Sequence, residues 1–370
     1  MNPASSPHPL VATVLGARPQ FVKAAPVCTA LRRAGLAERL VHTGQHYDAA
    51  MSDVFFQALG LPEPAVHLGI GSATHGAQTG RMLEAVERVL LDWHPDLVLV
   101  YGDTNSTLAG ALASAKLHIP VAHIEAGLRS FNQHMPEEIN RVLTDHVARL
   151  LFAPTAVAVA NLAREGITEG VVRTGDVMLD AVLRFRSAFA PASADVVARH
   201  GLVPRGYALV TIHRAENTDD PERWNGILEG VRRLGADGLA VLWPVHPRVG
   251  ERAQALASAS IRLSPPLSYF DTQALLMHAR VVVTDSGGLQ KEAAFHGVPC
   301  VTVRDETEWV ELVEAGVNVL AGADPARIAY AAREAAWPAA GLPPDLYGRG
   351  DTAGAIAEHL RAFLGGATAT

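Results

Sequence analysis

Short apolar runs separated by helix-length amphipathic segments recur along the whole chain, and no other feature limits its fold as tightly. The runs "VATVLG", "RLVHTG", "DLVLVYGD", "IPVAHIEAG" and "RLLFAPT" occupy the first half, and "YALVTIHR", "LAVLWPVHP", "RVVVTDSGG" and "VPCVTVRD" the second. They are continuous rather than alternating, the pattern of strands buried on both faces of a parallel sheet. Segments such as "GAQTGRMLEAVERVLLDW" lie between them with helical spacing. Strand–helix repetition of this kind predicts an α/β, doubly wound architecture. At 370 residues the chain exceeds what one core ordinarily holds, so two such domains are expected. The periodicity weakens over "RFRSAFAPASADVVARHGLVPRG", residues 184–206, and the junction is placed there. The expected division is residues 1–185, joined by a C-terminal helix at 351–366, and residues 186–350.

Composition removes several function classes. A content of 49% hydrophobic and 19% charged residues is that of an ordinary soluble globular protein. A net charge of −7 argues against a nucleic-acid binder, which would present a basic face. The two cysteines, Cys28 and Cys300, lie in apolar surroundings outside any CxxC and read as buried structural thiols. No apolar stretch approaches the ~20 residues needed to span a bilayer. The opening "MNPASSPHPL" lacks the basic and apolar regions of a secretion signal and reads as a short loose tail. A cytoplasmic protein is expected.

In open α/β sheets, ligands bind at the carboxyl ends of the strands. Arg18, His42, Asp103 and Glu125 fall there in the first half, and His213, His246, Asp285 and Arg304 in the second. Any one of them could merely open a loop. Eight, spread over both halves, point to two functional rims, which would face each other across an interdomain cleft.

The strongest local signal is "VVVTDSGGLQKEAAFHG", where a strand ends at Asp285 and Ser286-Gly287-Gly288 opens a helix carrying Glu292. Glycines admit a ligand to the backbone, and the free N–H groups of a first helical turn attract an anion. Glu292, one turn on, is placed to accept hydrogen bonds from a sugar hydroxyl. The plainer alternative is an ordinary helix start capped by serine. "VLGARPQFVKAAPV" repeats the theme with Arg18 and Lys23 at a helix mouth, a setting for a phosphate. "TIHRAEN" sets His213, Arg214 and Glu216 just after a strand, although among 16 histidines a lone one is more often a packing residue. His42 and His46 are four apart, but Gly44 between them disfavours a helical ligand face, and no metal is expected.

The stretch "VAHIEAGLRSFNQHMPEEINR" closes an apolar run at Glu125, then uses a proline to introduce Glu137 and Glu138. Asp103 closes another run in "VLVYGDTNS". There is no GxSxG nucleophile elbow. Anion-binding walls combined with several carboxylates suit a phosphorylated or nucleotide-linked substrate whose other part undergoes proton transfer.

Taken together and in order, "GARPQFVKAAP", "HTGQHYD", "YGDTNSTLAGALAS", "HIEAGLRS", "MPEEINR", "TIHRAEN" and "DSGGLQKEA" resemble the bacterial non-hydrolysing UDP-N-acetylglucosamine 2-epimerases over residues 11–360. The resemblance implies two Rossmann-like domains, as in the glycosyltransferase-B fold, with the substrate held between them. It implies reversible epimerisation at C2, in which UDP leaves C1 as C2 loses its proton, then re-adds to the 2-acetamidoglucal. By this resemblance Asp103, Glu125 and Glu137 take the acid, base and supporting roles. Arg18, Lys23 and His213, with Arg214, hold the diphosphate or assist its departure. Ser286, Gly287, Gly288 and Glu292 match the UDP site. No cofactor is implied, and a homodimer is. Two departures stand out. Trp309-Val310-Glu311 follows "VRDETE" where simpler members read Arg-Pro-Glu, and "QHYD" at 45–48 differs from a pattern tied to allosteric substrate binding. Both look like the branch that includes epimerases of UDP-2,3-diacetamido-2,3-dideoxy-glucuronate, the alternative substrate to UDP-N-acetylglucosamine. The competing classes are a glycosyltransferase of the same fold, a hydrolysing epimerase and a non-catalytic nucleotide-sugar sensor. The trio Asp103, Glu125 and Glu137 discriminates, because simple sugar transfer has no need of it.

Overall fold

In a computed structural model the protein is described over residues 9–45, 56–245 and 249–367. It forms two compact units, Met1–Leu183 with Pro344–Thr370, and Arg184–Pro343. Both are α/β layers around a wholly parallel sheet. No helix among the described residues is long and apolar enough to cross a membrane.

The first sheet contains β1 (Leu10–Leu15), β2 (Ala37–His42), β3 (Val66–His67), β4 (Leu97–Tyr101), β5 (Val121–Ile124), β6 (Leu150–Ala153) and β7 (Val171–Arg173). Their order in the sheet is β3-β2-β1-β4-β5-β6-β7, so the winding reverses between β1 and β4. The run "LVLVY" of β4 is buried at every position, as a central strand covered on both faces requires. Tyr101 pairs with Ile124, so β4 and β5 stop level and bring Gly102 and Asp103 beside Glu125. Helix starts follow local chemistry. Thr104 caps the helix Asn105–Lys116 by accepting the Thr107 N–H, and Pro136 occupies the first turn of the helix Pro136–Val147. The C-terminal helix Thr352–Ala367 belongs to this unit and packs against the helix Arg18–Arg33. Asp180 anchors its start by accepting the Ala353 N–H at 2.7 Å.

The second sheet contains β8 (Tyr207–Thr211), β9 (Ala240–Pro244), β10 (Ile261–Ser264), β11 (Val281–Thr284), β12 (Cys300–Thr302) and β13 (Asn318–Leu320), in the order β10-β9-β8-β11-β12-β13. Its reversal lies between β8 and β11. Thr211 pairs with Thr284, and Thr284 with Thr302, so three strands end in register below His213, Asp285 and Arg304. The stretch 184–206, weak in hydrophobic period, nevertheless carries the end of the helix Val177–Phe189 and the helix Ser193–Arg199. Alanine and arginine dilute an apolar period without opposing a helix. Val196, Val197 and Leu202 supply the packing, in one buried cluster with Tyr207, Leu275 and Val282.

Candidate active site

In the first unit the strand ends form a set of paired charges. At the end of β5 the chain turns left-handed at Glu125 (φ 76°), an unusual conformation for a residue with a side chain. The turn is held because the N–H groups of Glu125 and Ala126 both donate to the Phe152 carbonyl at 3.1 Å. The Glu125 carboxylate is buried and paired with the Lys23 ammonium. Gly102, at φ 63°, sits directly against it, and a β-carbon there would lie 3.1 Å from Glu125 Oε2. Such strain at a strand end, of order 1–3 kcal/mol, is found where surroundings over-determine a site.

Asp103 follows Gly102, and its carboxylate pairs with Arg141, whose guanidinium is buried and also pairs with Glu138. Asn140 donates to the Asp103 carbonyl at 2.9 Å. Glu137 and Glu138, adjacent in sequence, separate in role. Glu138 is buried and accepts the Ser130 and Phe131 N–H groups at 2.9 Å each, which closes the loop before the helix. Glu137 is half-buried and takes part in none of these bonds. The i, i+3 spacing of Glu138 and Arg141 was the available signal for the structural partner.

At the mouth of the helix Arg18–Arg33 the structure alters the expected chemistry. Gln20 Oε1 accepts the Gly16 N–H at 2.8 Å and the Ala17 N–H at 3.0 Å, so these donors are already satisfied from within. Gly16 is required by the chain's own packing, since a β-carbon would fall 2.0 Å from Thr43 Oγ1. Arg18 is half-buried at this helix start, and Lys23 is turned to Glu125. His42 stacks on Phe21 with ring centroids 5.1 Å apart. Burial and the neighbouring His67 pull its pKa down to about 4. His46, and with it most of the 45–48 stretch, lies outside the described residues, as does His246.

The second unit uses its strand-end carboxylate differently. Asp285 is fully buried and accepts the His213 N–H at 3.0 Å, the Arg214 N–H at 2.9 Å and Asn217 Nδ2 at 3.2 Å. Burial pushes its pKa up, but the His213 ring and these backbone donors prevail and hold it below the ordinary carboxylate value. The His213 ring, with Nδ1 3.1 Å from Asp285 Oδ1, keeps 42% of its side-chain surface exposed. Asp285 therefore orients the imidazole and the turn that carries Arg214.

Ser286 caps the helix Gly287–Phe295, and the two glycines differ. A β-carbon at Gly287 would meet Glu308 Oε1 at 2.2 Å, whereas one at Gly288 would meet nothing within 4 Å. The chain itself dictates the first glycine, and only Gly288 offers open backbone. Glu292 is buried and accepts Gln273 Nε2 at 2.8 Å, while Gln273 Oε1 accepts His296 Nε2 at 2.8 Å. Arg304 is wholly buried, donating to Glu308 at 2.8 Å with Glu216 3.7 Å away. Its Nη2 has no hydrogen-bond partner among the described residues. Burial raises the Glu216 pKa, against the pull of Arg214 and Arg304. Trp309 is buried too, with the Lys291 ammonium 3.9 Å from its ring centroid, so a cation stands beneath the indole. Arg141, Asn217, Gln273 and Glu308 were missed from sequence, because each acts through a partner distant along the chain.

Three comparisons bear on this arrangement. The family model described as UDP-N-acetylglucosamine 2-epimerase matches residues 29–361. The UDP-2,3-diacetamido-2,3-dideoxy-D-glucuronate 2-epimerase of Pseudomonas aeruginosa is 49% identical over 359 residues, covering 95% of this chain and 99% of that protein. The crystal structure of the Methanocaldococcus jannaschii UDP-GlcNAc 2-epimerase, in complex with UDP-GlcNAc and UDP, superposes with a TM-score of 0.87 at 40% identity, over 95% of this chain and 99% of that one. A calicheamicin glycosyltransferase, 14% identical with a TM-score of 0.57, covers 97% of this chain and 99% of its own, and shares the fold alone. A paired-carboxylate rim on one parallel sheet, an oriented histidine and an open glycine on the other, and matches that run nearly the length of the chain lead to one conclusion: this chain belongs to the UDP-N-acetylglucosamine 2-epimerase family, a family of isomerases.

Proposed function

We propose that the protein inverts C2 of a UDP-linked 2-acetamido sugar by elimination and re-addition, in the cytoplasm, as a homodimer and without a cofactor. The observation that supports this best is the clustering of Asp103 and Glu125 at level strand ends, each balanced by a cation, Arg141 and Lys23. Glu137 stands at the start of the helix that carries Arg141. One carboxylate takes the C2 proton, the C–H electrons form the C1–C2 double bond, and the C1–O bond breaks with its electrons leaving on UDP. UDP oxygen then adds back to C1 as an acid on the other face returns a proton to C2. Such a cycle needs a base, an acid and positive charge for the diphosphate. Arg18, His213, Arg214, Ser286, Gly288 and Glu292 are assigned to holding the UDP part. Gly287 serves it by letting the helix start close against Glu308. Lys23 acts on Glu125 rather than on phosphate.

UDP-N-acetylglucosamine is the first substrate reading, supported by the 40% identical protein solved with that sugar. The second is UDP-2,3-diacetamido-2,3-dideoxy-glucuronate. The 49% identical Pseudomonas aeruginosa protein and Trp309, at a position where simpler members carry arginine, favour it. Each sugar is incubated with the protein in deuterated water and followed by proton NMR. Inversion with deuterium entering C2, and slow release of UDP and glycal, is the expected outcome. Product that keeps protium at C2 rules the elimination out. The sugar with the larger kcat/KM decides between the two readings.

A further inference from the structure

A network with a fully buried centre, His123 and Asp145, adjoins the carboxylates and has no part in the cycle above. His123 and Asp145 are both without exposed side-chain surface. His123 Nδ1 lies 2.7 Å from Asp145 Oδ1, and Nε2 lies 2.8 Å from the Gly102 carbonyl oxygen. Asp145 Oδ2 accepts Arg129 Nη1 at 2.7 Å and the Gly127 N–H at 3.0 Å. Arg129 in turn makes a two-pronged pair with Glu165 at 2.7 and 2.8 Å. A carbonyl oxygen and a carboxylate can only accept, and a neutral imidazole has only one N–H to give. Two acceptors therefore require two N–H groups on His123, a cation whose charge Asp145 balances. A buried ion pair is weak support for stability compared with apolar groups of the same volume, so a stability role alone does not account for it.

Two arms of the network, at Gly102 and at Gly127, end beside the carboxylates. The Gly102 carbonyl precedes Asp103. The Gly127 N–H follows the left-handed turn at Glu125 and fixes the exit from it. Asp145 itself sits on the helix Pro136–Val147, whose first turn carries Glu137. We propose that Asp145, acting through a doubly protonated His123, is a positioning residue that sets Asp103, Glu125 and Glu137 relative to one another. The inference rests on the acid–base reading of those three residues given above.

Asp145→Asn tests it with little change of shape. The new amide can donate to a neutral His123 while its oxygen still accepts from Gly127 and Arg129, so hydrogen bonds survive and the charge does not. In protein labelled with nitrogen-15 at histidine, with the signal assigned through His123→Gln, both His123 ring nitrogens should carry a proton. In Asp145→Asn one should become unprotonated. Because small misplacements of reacting groups can cost about 100-fold in rate, kcat should fall about 10–100-fold. KM and UDP affinity, which depend on contacts made equally in the ground state, should stay within about threefold. His123→Gln keeps a donor towards Gly102 and loses the arm to Asp145, so it should give the same split even if the Asp145 variant does not fold. A wild-type His123 with an unprotonated ring nitrogen overturns the network. Variants with unchanged kcat, or with kcat and UDP affinity falling together, overturn the positioning role. Wild-type protein inactive on both UDP-sugars would instead refute the acid–base reading, and the nitrogen-15 spectra would still decide the network.

Discussion

Asp103 and Asp285 occupy equivalent places in the two sheets, each just beyond the strand next to the point where the winding reverses, and the two units use them in opposite ways. Asp103 keeps 30% of its side-chain surface exposed and answers to the Arg141 side chain. Asp285 has none exposed and accepts two backbone N–H groups and an asparagine amide. In the first unit, cations hold carboxylates in place at the sheet end, Arg141 the part-exposed Asp103 and Lys23 the buried Glu125. In the second, a carboxylate holds backbone and a histidine, with His213 exposed and Ser286 and Gly288 half-buried. On the proposed reading Asp103 reacts while Asp285 braces, and burial separates the two aspartates.

The largest effect expected follows from that difference. Asp103→Asn should lower turnover ~10²–10⁴-fold, the range for losing one positioned acid or base, while leaving thermal unfolding nearly unchanged. Asp285→Ala strands several buried donors at about 1–3 kcal/mol each and should melt the second unit early in calorimetry. Equal destabilisation by the two substitutions would break the comparison.

The glycine pair sharpens it within one helix start. Gly287→Ala drives a methyl group into Glu308 and should cost about 1–3 kcal/mol of stability. Gly288→Ala has open space and should be neutral or stabilising by up to about 1 kcal/mol. If the Gly288 backbone meets the diphosphate, the same change should cost about tenfold or more in UDP affinity, about 1.4 kcal/mol, by titration calorimetry. Unchanged UDP binding would remove Gly288 from the site.

The smallest effect is one the two units share. Burial pulls His42 in the first unit and His296 in the second from 6.5 to about 4, with His67 adding to the first and Arg186, Arg205 and His278 to the second. The unfolded chain takes up these protons as pH drops below 6.5, and the folded chain does so only near 4. Their contribution is therefore intact above pH 6.5 and is lost as pH falls through that window, by about 1 kcal/mol each over the first pH unit. His42→Phe, able to stack on Phe21 as the imidazole does, should flatten the decline by about half of that sum. A Tm that does not change between pH 7 and 5 would contradict both shifts.

The alternation of apolar runs and helices was enough to specify the α/β class and two parallel sheets, because a strand covered on both faces has to be apolar at every position. It also marked Asp103, Glu125, His213 and Asp285, because strand ends are where polar groups first become possible. It could not separate Glu137 from Glu138 or Gly287 from Gly288, since adjacent residues of one type carry the same local signal. Nor could it show Lys23 meeting Glu125, 102 residues away, or Asp145 meeting His123. Local propensity acts over a few residues, whereas pairing, burial and the sharing of protons depend on which strand ends the sheet places level. That step belongs to the tertiary structure alone.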